Sequence, residues 1–192
     1  MISKLPIVII ASSRSGSSAL AQHISSLYNI KNWSEPTRDV EEFEKFKQYI
    51  TRGNINYVLK IISYQISSTE IYQTILANDC YKIKLTRENK LDQIVSHYIG
   101  HCTQVWNSTD QYARGVQYTV PADIKLINDA IQTVIFNDKV FDGLGIEFDE
   151  TLTYEELISH TNLDSTGLAK IIPPTNYNEI KLVIEKEYDK YR

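Results

Sequence analysis

The chain has 192 residues, of which 42% are hydrophobic and 23% charged, ordinary proportions for a soluble domain with a real core. Twenty Lys and Arg against 24 Asp and Glu leave a net charge of −4, which excludes the broad basic footprint of a general nucleic-acid binder. No apolar run approaches the roughly 20 residues that cross a bilayer and the start has no secretory leader, so a cytoplasmic protein forming one domain over residues 1–192 is expected, with no membrane partner.

In chain order, Pro6–Ala11 is an apolar β-branched run that predicts a buried strand, followed by a small polar loop and a helix from Gly16 to about Tyr28. Asn32–Pro36 reads as a short crossing segment. Asp39 can cap a helix whose Val40, Phe43, Phe46 and Ile50 fall at helical spacing, ended by Gly53-Asn54. Tyr57–Ile62 predicts a second strand, Ser67 or Ser68 opens a helix to about Ala77, and Tyr81–Thr86 predicts a third strand. A long helix then starts at Asn89 or Asp92 and carries Leu91, Ile94, Val95, Tyr98 and Ile99 inward. Asn107–Gly115 is a polar loop that would suit a lid or plain surface. Pro121 is expected to start a helix through about Phe141. Ile146–Phe148 predicts a short strand, Tyr154–Ser159 a short helix, Pro173-Pro174 an exposed loop and Asn178–Tyr188 a last amphipathic helix. Strands alternating with helices predict an α/β fold: a single P-loop-like domain with a central parallel sheet flanked by helices. In such sheets ligands bind beyond the carboxyl ends of the strands.

The loop Ser12-Ser13-Arg14-Ser15-Gly16-Ser17-Ser18 is built to hold an anion. Small side chains let the backbone curl, and the helix behind it directs free N–H groups and its positive dipole end at the ligand. It is not a Walker A motif, because Gly16 is followed by Ser17 rather than lysine; the cation, Arg14, stands on the other side of the glycine. A second anion signal is Arg87 at the end of the third strand with Ser96 on the next helix, a planar fork and a hydroxyl. Two anion sites on one sheet edge suit a nucleotide phosphorylated at both ends. Cys80 and Cys102 stand singly, without metal-ligand or disulfide spacing, and no metal cluster is expected.

These motifs resemble the sulfotransferases that use 3′-phosphoadenosine 5′-phosphosulfate (PAPS), above all the bacterial carbohydrate (trehalose-type) enzymes. The resemblance rests on Ser13-Arg14-Ser15-Gly16-Ser17-Ser18, with serine where the family usually has proline, and on Leu85-Thr86-Arg87 with Gln93-Ile94-Val95-Ser96. Weaker echoes follow in order: Glu35-Pro36, Val58-Leu59-Lys60-Ile61, Thr103-Gln104-Val105-Trp106 and Thr153-Tyr154-Glu155-Glu156-Leu157. It spans roughly residues 5 to 160. It implies that Ser13, Arg14, Ser15, Gly16, Ser17 and Ser18 hold the 5′-phosphosulfate and that Arg87 and Ser96 hold the 3′-phosphate. Lys170, in a late loop, is a further candidate for the 3′-phosphate. PAPS would be the donor, 3′,5′-ADP (PAP) the product, and a small polar or carbohydrate hydroxyl the acceptor.

Sulfuryl transfer, like phosphoryl transfer, is chiefly a matter of positioning and charge stabilisation. Glu35 is the first candidate for the base that takes the acceptor's proton, with His97 and His101, one helical turn apart, as rivals. Lys60 could reach the transferring group. Trp106 could stack on a sugar or adenine, or simply pack, and Tyr154 reads as support for the cofactor site. Two other readings stand beside this one: a PAPS- or PAP-binding protein without transfer activity, and a small-molecule kinase of the P-loop kind, which the missing lysine after Gly16 disfavours.

Overall fold

The computed structural model describes residues 5–66, 70–106, 117–160 and 173–192. Five strands form one sheet in the order β2-β3-β1-β4-β5, with every pairing parallel. β1 (Ile7–Ala11) lies at the centre between β3 (Tyr57–Ile62) and β4 (Tyr81–Thr86), with Ile7 opposite Val58 on one side and Tyr81 on the other. A parallel strand covered on both faces must be apolar throughout, and all five residues of β1 are buried.

Side chains alternate across a strand, and the two faces divide accordingly. Ile7, Ile9 and Ala11 pack with Leu20, Ala21 and Ile24 of α1 (Ser17–Tyr28). Val8 and Ile10 face the other way, against Phe46 of α2 (Val40–Thr51), Tyr72 and Ile75 of α3 (Glu70–Ala77) and Phe141. A third cluster joins α4 (Lys90–Thr103), α5 (Ile124–Gly143) and α7 (Tyr177–Tyr188) through Ile94, Tyr98, Ile127, Ile131, Ile180 and Ile184. The starts of α2 and α4 are capped as their sequences suggest. Asp39 accepts from the Glu42 N–H at 3.0 Å, and Asn89 accepts from the Asp92 N–H at 3.0 Å.

Three expectations need correction. The segment read as Asn32–Pro36 holds a strand, β2 (Lys31–Ser34), which pairs with β3 through an irregular register and passes into a 3₁₀ turn at Pro36–Arg38. Ile146–Phe148 is not a strand. Both residues pack their side chains against the α2–α3 face, and the sheet continues instead with β5 (Glu150–Thr153). Pro121 does not begin a helix, because Asp123 caps α5 by accepting from the Lys125 and Leu126 N–H groups at 2.9 and 3.1 Å. Pro121 instead uses its carbonyl to accept from the Tyr98 hydroxyl. After β5, α6 (Tyr154–His160) returns beneath the first loop. No described helix is long and apolar enough to cross a membrane.

Candidate functional site

Because all five strands run parallel, their carboxyl ends share one edge, and each delivers a chemically distinctive group there. β1 leads into the Ser12–Gly16 loop, β2 into Glu35, β4 into Arg87 and β5 into Tyr154, while Lys60 stands two residues before the end of β3.

The β1 loop turns through two left-handed residues, Arg14 (φ 61°) and Gly16 (φ 82°). Ser15 Oγ donates to the Ser12 carbonyl at 2.7 Å and closes the turn. Gly16 has no space for a side chain: a Cβ would lie 2.7 Å from Tyr154 Cδ2 and 3.0 Å from Cε2. The glycine therefore meets both a backbone need and a packing need. Behind the loop two buried amides hold it in place. Gln93 Nε2 donates to Ser12 Oγ at 2.9 Å and to the Ser13 carbonyl at 2.6 Å, and Asn137 Nδ2 donates to Ser13 Oγ at 3.1 Å. Ser13, predicted as a cofactor contact, thus has its hydroxyl turned towards α5. In front of the loop, the start of α1 has no side-chain cap and no acidic residue in its first turn, which leaves its amides and dipole facing the sheet edge.

Lys60 is the central cation. Its ammonium lies 2.9 Å from Glu35 Oε1 and donates to Ser18 Oγ at 2.9 Å, and both charged side chains are almost wholly buried. Burial pushes the Lys60 ammonium below the usual lysine range, opposed by the charge and hydrogen bond of Glu35. Glu35 Oε2 faces Arg38 Nε at 3.8 Å. Two residues predicted separately, Glu35 and Lys60, thus form one buried pair at the N-terminus of α1.

Arg14 is directed towards α4. Its Nε donates to Ser96 Oγ at 2.9 Å, one of its Nη atoms donates to the Trp106 carbonyl, and its guanidinium lies 5.9 Å from the Trp106 ring. Ser96, predicted to sit with Arg87, is the partner of Arg14. Arg87 stacks on the Tyr154 ring at 4.6 Å and donates to the Arg14 carbonyl at 3.4 Å, so one tyrosine supports both arginine loops. Glu155 fastens the same corner by accepting from the Glu88 and Asn89 N–H groups at 3.1 and 3.2 Å. Burial works against its charge, but these hydrogen bonds and the nearby Arg87 hold its carboxyl below the usual range.

His97 is buried among His101 and Trp106, with ring centroids at 4.9 and 5.6 Å, and neither ring nitrogen has a hydrogen-bond partner among the described residues. Burial, with the charges of His101 and Arg14, pushes its pKa down to about 4, so the imidazole is neutral at pH 7. Trp106 packs on Gly100, where a Cβ would lie 2.8 Å from its ring. Lys170 and the loop at 107–116 lie outside the described residues. Among the described residues no group of three or more His, Cys, Asp or Glu is arranged to hold a metal ion. Neither Cys80 nor Cys102 is in a disulfide.

Sequence reading missed Gln93 and Asn137, the amides behind the loop. Gln93 carried a signal: with Ser96 and His97 it makes a polar patch on the helix face that otherwise points Ile94, Val95 and Tyr98 inward.

Comparison with known proteins adds little. The chain matches no protein-family model and no curated protein. Among solved structures it is similar to the Bacillus subtilis YorR protein in complex with phosphorylated GDP, at 13% identity over 96% of this chain and 98% of that one, with a TM-score of 0.42. At that score the likeness establishes neither a shared fold nor a function.

Proposed function

We propose that the protein transfers a sulfuryl group from PAPS to a hydroxyl of a small polar or carbohydrate acceptor. The observation that carries the reading is the convergence of Glu35, Lys60 and the uncapped start of α1: a buried carboxylate and a buried cation meet where helix amides and the β1 loop can cradle an anion. A protonatable base beside a fixed positive centre is what attack by a hydroxyl on a negatively charged sulfuryl group requires. The fit to a doubly phosphorylated nucleotide rests on the second cation, Arg87, one loop away, whose Nε is buried without a partner among the described residues.

In this reading PAPS supplies the sulfuryl group on a phosphate leaving group. Glu35 accepts the proton as the acceptor's O–H bond breaks and its oxygen forms the new O–S bond. Lys60, Arg14 and the Ser17 and Ser18 amides offset the charge that collects on the bridging oxygen as the old S–O bond breaks. Glu35 Oε1 is engaged by Lys60 at 2.9 Å, and Oε2, which has the longer 3.8 Å contact to Arg38, serves as the proton acceptor. Lys60 also stands beside Ser18, where it supplies from β3 a cation that the loop lacks after Gly16.

The test is to incubate the purified protein with PAPS and a panel of mono- and disaccharides, with magnesium-ATP in parallel. Sulfated sugar from PAPS is the expected product. Phosphorylated sugar from ATP would replace this reading with phosphoryl transfer, and tight nucleotide binding with no product from either donor would make the protein a binding module.

A further inference from the structure

At the corner between β4 and α4, a lysine from the end of the chain joins the site. Lys181, on α7, lies 2.7 Å from Asp92 Oδ1. The other oxygen of Asp92 lies 3.9 Å from Arg87 Nη2 and accepts from Asn89 Nδ2 at 3.0 Å. Two cations from distant elements thus share one carboxylate, and the contact to Arg87 is the long one. The second carboxylate of this corner, Glu155, is committed to the amides of Glu88 and Asn89. Arg87 is mostly buried, stacked on Tyr154, and its Nε has no partner among the described residues. A buried guanidinium with an orphaned donor and a long ion pair has hydrogen-bonding capacity left for an anion that displaces Asp92, and the neighbouring lysine supplies charge for it.

We propose that Lys181 is the second cation of the 3′-phosphate subsite, so that a phosphate between Arg87 and Lys181 takes over the pairing that Asp92 gives them. Lys181 then determines specificity: it makes the protein prefer nucleotides that carry a 3′-phosphate. The inference rests on the sulfuryl-transfer reading, which requires such a nucleotide. Lys181 is partly exposed and outside the apolar clusters, so its replacement removes the ion pair to Asp92 but none of the apolar contacts between α7 and α4.

The experiment measures the affinities of 3′,5′-ADP and 5′-AMP, which differ only by the 3′-phosphate, for the wild type, Lys181→Ala and Lys181→Arg. The wild type should prefer 3′,5′-ADP. Lys181→Ala should lose about tenfold or more of that preference by weakening 3′,5′-ADP alone, and Lys181→Arg should keep it. An unchanged ratio in Lys181→Ala overturns the role of Lys181 while leaving the sulfuryl-transfer reading in place. A wild type that binds the two nucleotides equally overturns both.

Discussion

Glu35→Gln should lower turnover at saturating acceptor by about 100- to 10,000-fold, the usual contribution of a positioned general base. The substitution keeps the shape of the side chain and an oxygen that can accept from Lys60, so nucleotide affinity should stay within a few-fold of wild type. It removes the charge that attracts and holds a proton. A split between turnover and binding separates this role from a structural one, because the buried Lys60–Glu35 pair also supports the fold. Breaking such a pair strands the remaining ammonium and can be strongly destabilising. Thermal unfolding should accompany the kinetics. Full turnover in Glu35→Gln would remove Glu35 as the base.

Arg14→Ala should lower turnover by about 100- to 1,000-fold, the range found when one preorganised donor to a developing negative charge is lost. The guanidinium is fixed by Ser96 and the Trp106 carbonyl, and its own carbonyl accepts from Arg87. That anchoring fixes its side chain against α4 and Trp106. The backbone at residue 14 is left-handed, and alanine adopts that conformation no more easily than arginine, so the loop gains no relief from the change. Single-turnover rates with bound donor check the expectation. An unchanged chemical step, with only weakened donor binding, would limit Arg14 to holding the nucleotide.

The core strands and the loop between β1 and α1 were legible in the sequence because their signals are local. β1 is a continuous apolar run, β3 is apolar but for Lys60, and Ser12 to Gly16 has little else to be but a tight polar turn. The edge strands carried no such signal. Lys-Asn-Trp-Ser in β2 and Glu-Thr-Leu-Thr in β5 are held by pairing to a neighbour on one side, whereas Ile146 and Phe148 alternate like a strand but only pack. The candidate site was legible as separate residues and not as pairs. Glu35 and Lys60, Gln93 and Ser12, Asn137 and Ser13, and Lys181 and Asp92 each meet across the fold, and only the parallel sheet and the packing of α4, α5 and α7 bring them together.

Calorimetric titration of 3′,5′-ADP into the wild type and Arg87→Ala, with magnesium-ATP as the competing ligand, tests the central claim most directly. The expected result is tight binding of 3′,5′-ADP, weak binding of ATP, and a loss of about thirtyfold in Arg87→Ala, equivalent to roughly 2 kcal/mol for a charged phosphate contact. A protein that ignores 3′,5′-ADP, or binds ATP more tightly, would contradict the account.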